Sequence, residues 1–173
     1  MIRVIVIGII IIVSVLLETT VIEHISIFGI APQLTLPIIV AYSMLRGENA
    51  GTLVGFISGL LKDILLGQAI GLFAMLGMLV GYFAGRPFRD FFRESYLLPM
   101  LLTGILSFIY SFIIYMFYSL TIAPINMFYH LGTVILPVAI YTMILSILIY
   151  RILYAINSIL EFFERRRRKI FER

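Results

Sequence analysis

The chain has no cysteine, which removes disulfides, thiolate nucleophiles and thiolate metal sites together. Charge is scarce as well. Asp, Glu, Lys and Arg make up 13% of the residues, about half of the roughly 25% found in soluble domains. So little polar surface does not cover a water-facing globule. The two histidines, His24 and His130, lie far apart in two expected loops, and His130 has no histidine or carboxylate at ligand spacing. No Ser-His-Asp set, paired-carboxylate motif or phosphate-binding glycine loop occurs, so the usual routes to catalysis have no residues to carry them.

What is present is apolar. Of the 173 residues, 62% are hydrophobic, and the mean hydropathy is +1.12. The solvent for most of this chain is lipid. Arg3 followed by the apolar run Val4 to Leu17 has the outline of a secretory signal. The next residues, Glu18 to Glu23, offer no small-x-small cleavage site, so the run reads as a retained first helix. A spanning helix needs about 20 residues. On that rule six spans are expected, at 2–22, 32–45, 50–66, 70–85, 97–120 and 131–154. The second and fourth are short. The fold class is therefore an all-α integral membrane protein, a compact bundle of six transmembrane helices.

The loops orient it. Between spans one and two lie Glu18, Glu23 and His24 but no Lys or Arg, and the stretch from Thr121 to His130 has none either. Arg46, Arg86, Arg89 and Arg93 fall in the alternate loops, and Arg165, Arg166, Arg167, Arg168 and Lys169 follow the last span. With both termini in the cytoplasm, twelve of the thirteen Lys and Arg residues lie inside and Lys62 alone outside. This divides the chain into a membrane domain, 1–160, and a basic cytoplasmic tail, 161–173. The tail reads first as a topology signal that attracts anionic lipids, and not as a nucleic-acid site.

Membrane helices associate by close packing and internal hydrogen bonds. Gly47, Gly51, Gly55 and Gly59 recur every fourth residue, and Gly77, Gly81 and Gly85 repeat the pattern one span later, with Gly67 and Gly71 flanking the turn. Spans three and four are expected to form an antiparallel pair along these faces. Intramolecular packing is the first reading of the glycines and a partner interface the second. Asp63, four residues past Gly59, shares that face and points inward. A carboxylate buried at membrane depth needs a partner. It is expected in a structural role, such as capping the turn at Gly67, ahead of transport or binding. Lys62, about 100° round the helix, is expected to snorkel outward, and Glu18 and Glu23 to be solvated. Pro37 and Pro137 are expected to kink or open spans two and six. Arg151 is placed to snorkel, and Tyr110, Tyr115, Tyr118 and Tyr129 to form an interfacial belt.

One stretch is familiar. Pro32-Gln-Leu-Thr-Leu-Pro-Ile38, then Arg46-Gly-Glu-Asn-Ala-Gly51, then Gly55-Phe-Ile-Ser-Gly-Leu-Leu-Lys-Asp63-Ile-Leu-Leu-Gly-Gln-Ala-Ile-Gly71 resembles the MreD family of rod-shape-determining proteins. Its pattern of a proline-containing second helix and a glycine–aspartate third is matched at Gly51, Gly55, Phe56, Gly59, Leu60, Asp63, Gly67 and Gly71. The resemblance is specific over about forty residues; the arginine-rich tail is longer and more basic than the family leads one to expect. It implies a non-catalytic, cofactor-free scaffold in the bacterial inner membrane, within the elongasome that extends the side-wall peptidoglycan. The implied partner is an MreC-like single-span protein, with MreB, RodA and a penicillin-binding transpeptidase in the wider assembly. The family is also similar in fold to the S-components of energy-coupling-factor vitamin transporters. That gives the alternative, a substrate-binding transport subunit. Such a subunit needs a polar outward pocket, and the outer loops supply only Glu18, Glu23, His24, Gln68, Asn126 and His130 to build one.

Overall fold

The computed structural model describes residues 2–21, 31–66, 71–86, 97–121 and 127–171, with side chains over 3–20, 31–66, 71–86, 97–121 and 129–161. Gly67, Gln68, Glu23, His24, Asn126, Arg89 and Arg93 lie outside the described residues. In lipid a backbone must satisfy its own hydrogen bonds, and helices do so within one segment. All regular structure among the described residues is accordingly helical. Helix α1 (Ile2–Leu16) runs into a π-helical segment, Leu17–Val21; α2 is Thr35–Arg46, α3 Glu48–Leu66, α4 Leu72–Gly85 and α5 Leu97–Thr121. A single turn, α6 (Met127–His130), leads through a second π-helical segment, Leu131–Ile135, into α7 (Leu136–Phe171).

Four segments are long and apolar enough to cross a membrane: Arg3–Thr20, Glu48–Leu66, Leu97–Thr121 and Leu131–Glu161. The other two are short. Helix α2 has 12 residues and α4 has 14. At 1.5 Å per residue they reach about 18 and 21 Å, against a hydrocarbon core of about 30 Å. A helix too short to span survives at membrane depth when protein covers it. Helix α2 is covered: Thr35 to Ala41 and Ser43 are all buried, and it touches α1, α3, α4, α5 and α7. Its Leu36, Ile39 and Val40 join Val15, Val54, Leu76 and Tyr110 in the main core. The bundle is thus built around a buried second helix, with α1, α3, α5 and α7 turning apolar side chains such as Val4, Leu53, Ile105 and Ile144 outward.

Of the two prolines expected to kink or open a helix, Pro37 departs from that expectation, and Pro137 adjoins a local opening. Pro37 is the third residue of α2, within the first turn, where an N–H has no intrahelical acceptor, so a ring there costs nothing. The kink expected of Pro37 therefore has no physical cause. Pro137 lies just past the π-helical segment Leu131–Ile135. It cannot donate to the carbonyl four residues back, and the wider turn absorbs that missing bond. Helix α7 then continues without a break to Phe171, so the boundary expected at residues 160 and 161 falls inside one helix. Arg165, Arg166, Arg167, Arg168 and Lys169 lie on its backbone, their side chains outside the description.

The tightest contact is between α3 and α4. A Cβ on Gly55 would run into the Gly77 carbonyl, one on Gly81 into the Gly51 carbonyl, and one on Gly59 into the backbone of Phe73 and Ala74. The two backbones touch because these side chains are missing. Gly47 is not part of that face. It forms the one-residue link between α2 and α3 at φ 92°, a conformation that glycine alone adopts without strain. Gly71 (φ 95°) likewise turns the chain into α4, with open space where a Cβ would be. Substituting Gly55→Ala or Gly77→Ala is expected to destabilise the bundle by the overpacking cost of about 1–3 kcal/mol. Gly8→Ala, inside α1 at a site where a Cβ meets nothing within 4 Å, is expected to hold the midpoint or raise it slightly, by up to about 1 kcal/mol. Thermal melts of the purified proteins in detergent, followed by circular dichroism, check this; three equal midpoints would refute the close-packing account.

Candidate functional site at the far end of the bundle

A helix that begins inside a membrane presents N–H groups with no acceptor. Both short helices begin among buried residues, Thr35 and Leu36 in α2 and Phe73 and Ala74 in α4, and neither has a side-chain cap of its own: Leu34 stands at the N-cap of α2 and Gly71 at that of α4. In each case a carboxylate from a neighbouring helix supplies the missing acceptor. Asp63 of α3, 2% exposed, accepts from the Phe73 N–H at 3.1 Å on Oδ1 and from the Ala74 N–H at 2.9 Å on Oδ2. Its inward aim follows from the glycine spacing, and among the described residues the turn it serves is the start of α4; the cap expected at Gly67 lies outside the described residues. Its negative charge also meets the positive end of the α4 dipole.

Glu18 does the same for α2. The π-helical segment at the end of α1 carries it, and its Oε2 accepts from the Thr35 N–H at 2.9 Å and from the Thr35 hydroxyl. Its Oε1 accepts from Lys62 Nζ at 2.7 Å. The expectation that Glu18 is simply solvated is therefore corrected. Lys62 likewise does not snorkel. It is 4% exposed, over the Tyr110 ring at 5.9 Å from the centroid, while its neighbour Ile64 takes the outward position at 71%. Glu18 supplies the counter-charge within reach, so the buried pair carries no net charge and leaving water costs less than it would for a lone ammonium. Tyr110, expected in an interfacial belt, is buried for the same cluster.

Gln33 ties the cluster to the other half of the bundle. Its backbone N–H donates to Thr142 Oγ1 at 3.1 Å, its Nε2 to Ser111 at 3.2 Å, and its Oε1 accepts from Ser107 at 3.2 Å. Gln33 was missed as a site residue by the sequence reading. The signals were there: Thr103, Ser107 and Ser111 recur every four residues of an apolar span, as do Thr142 and Ser146, two polar stripes at helical spacing. At the opposite end Arg46 Nε donates to Asn157 Oδ1 at 3.0 Å, with Glu161 3.6 Å away, which fastens the end of α2 to α7.

Around these groups lie two cavities. One, of about 250 Å³, is bordered by Glu18, Gln33, Lys62, Phe73, Tyr110 and Ile114. The next, of about 290 Å³, shares Ala31, Gln33 and Ile114 with it and adds Tyr118 and His130; His130 stacks on Tyr115 with centroids 4.9 Å apart. Of the polar residues expected to build an outer pocket, Glu18 and His130 border these cavities, Glu23, His24, Gln68 and Asn126 lie outside the described residues, and Gln33, Lys62, Tyr110 and Tyr118 join the lining.

Two predictions follow the caps. Asp63→Leu leaves two buried N–H groups without acceptors, at about 1–3 kcal/mol each. Asp63→Asn keeps one acceptor and is expected to cost about half as much in a thermal melt. Lys62→Met strands the Glu18 carboxylate and is expected to cost about 3–5 kcal/mol, the range for breaking a buried pair. The double variant Glu18→Gln with Lys62→Met is expected to recover part of that loss. Additive losses in the double-mutant cycle would show that the two groups do not interact.

Compared with known proteins, the chain matches the family model for the rod shape-determining protein MreD over residues 1–158. No curated protein and no solved structure matches it. The match takes in the carboxylate caps, the glycine hairpin and Gln33 and ends within α7, and the chain belongs to the MreD family of rod shape-determining proteins.

Proposed function

We propose that this protein is a non-catalytic scaffold of the bacterial elongasome, anchored in the inner membrane with both termini in the cytoplasm. In this reading it binds an MreC-like single-span protein, within an assembly that includes MreB, RodA and a penicillin-binding transpeptidase. Residues 161–173 serve as a basic cytoplasmic tail on the anionic lipid surface, and no cofactor takes part. The family match is the observation that carries the proposal.

The packing supports where such a partner would touch. Gly51, Gly55, Gly59, Gly77 and Gly81 press on neighbouring backbone within the molecule, so their faces are already occupied. A partner helix is left the outward apolar surface. Part of that surface is concave: a groove of about 300 Å³ between α5 and α7, lined by Leu101, Gly104, Ile105, Phe108, Ala139 and Ile140 among others.

The experiment is purification from native membranes in mild detergent, with mass spectrometry of every protein and small molecule that stays bound. Stoichiometric recovery of an MreC-like protein is expected. Tryptophan scanning of outward positions (Val4, Leu53, Ile105 and Ile140, one at a time) is expected to abolish that recovery at one face while the melting midpoint holds. A partner complex that tolerates all four would sink the scaffold reading. Recovery of a vitamin-like ligand with an ATPase module would establish the transport subunit instead.

A further inference from the structure

The cavity beside the ion pair has a chemistry that helix packing does not require. Lys62 presents three N–H donors and spends one, among the described residues, on Glu18. Lys62 nevertheless borders a space of about 250 Å³, room for about eight waters at ~30 Å³ each, or for a substituted six-membered ring. Glu18, Thr19 and Gln33 share its polar side with Lys62, and Tyr110, Phe73, Leu66 and Ile114 form an aromatic and aliphatic wall opposite them in character. In the adjoining cavity, His130 Nδ1 is buried with no hydrogen-bond partner among the described residues.

We propose that this cavity binds a small uncharged molecule that offers a hydrogen-bond acceptor, such as an amide carbonyl, to Lys62 and rests an apolar or ring body on Phe73 and Ile114. The choice of an uncharged ligand follows from the charge count. Glu18 already balances Lys62 at 2.7 Å, and both Glu18 oxygens are occupied by Lys62 and Thr35. An anionic ligand would add an uncompensated charge to a buried site, and a cationic one would face the ammonium. A neutral carbonyl takes a spare N–H and adds no charge. Few polar groups in an apolar concavity is the usual composition of a small-molecule site. The proposal stands apart from the scaffold reading, since a protein can hold a partner on its outer face whether or not this cavity is filled.

Three probes of one shape and different charge test it: 3-fluorobenzamide, 3-fluorobenzoate and 3-fluorobenzylamine. Each is titrated into the purified full chain in detergent and followed by fluorine NMR line broadening. The benzamide is expected to bind saturably and at least about tenfold more tightly than the other two. Ile114→Trp, which fills the cavity, is expected to abolish the saturable component. Ile114→Phe serves in its place if the tryptophan variant fails to show the wild-type melt. Broadening that is equal in wild type and cavity-filled protein would mean partition into the micelle only, and would overturn the proposal. Benzoate binding as tightly as benzamide would overturn it too, by showing that the site accepts net charge.

Discussion

Everything in this bundle depends on how two helices begin at membrane depth. The first N–H groups of α2 and α4 have no acceptors in their own helices and lie among buried residues. Glu18 and Asp63 bring the acceptors from next door. Each carboxylate would be expensive in lipid by itself, and each orphaned helix start would be expensive as well. Joined, they cancel much of each other's cost, and the join also dictates geometry: α1 must deliver its last turn to the start of α2, and α3 its last turn to the start of α4.

The remaining contacts fall into place around those two joins. With Asp63 fixed on the α4 backbone, the glycines of α3 are brought into line with Gly77 and Gly81, and the hairpin closes with backbone against backbone. With Glu18 fixed on Thr35, Lys62 has a counter-ion and turns inward over Tyr110. Gln33, just ahead of α2, then reaches α5 and α7 through two serines and a threonine. A helix too short to cross the membrane becomes the hub that the long ones surround.

The helical class, the number of segments, the glycine pairing of spans three and four and the inward aim of Asp63 were all legible in the sequence. Each rests on a periodicity, and periodicity reports which face of a helix a residue occupies. The inward turn of Lys62 was not legible, because it depends on Glu18 from another helix 44 residues away. Hydropathy rates an isolated ammonium as something to expel and has no means of seeing its partner. Pro37 misled for a related reason. Its effect depends on its distance from the start of the helix, and the start lies at Thr35, three residues beyond where the apolar run begins at Pro32. Glu18 and His130, which border the cavities, were conspicuous as polar residues at the ends of apolar runs, whereas Gln33 and the stripes on α5 and α7 are diluted among apolar neighbours. The MreD resemblance was visible because the glycine–aspartate spacing records the hairpin itself, and the family match extends it across residues 1–158.

The cross-helix caps also bear on how the chain enters a membrane. A segment of 12 residues with an unsatisfied start is a poor candidate for release into lipid by itself, and so is the 14-residue α4. The first needs α1 beside it and the second needs α3. Each acceptor lies on the segment synthesised just before the start it caps, Glu18 ahead of α2 and Asp63 ahead of α4, so chain order presents the acceptor before the helix that uses it.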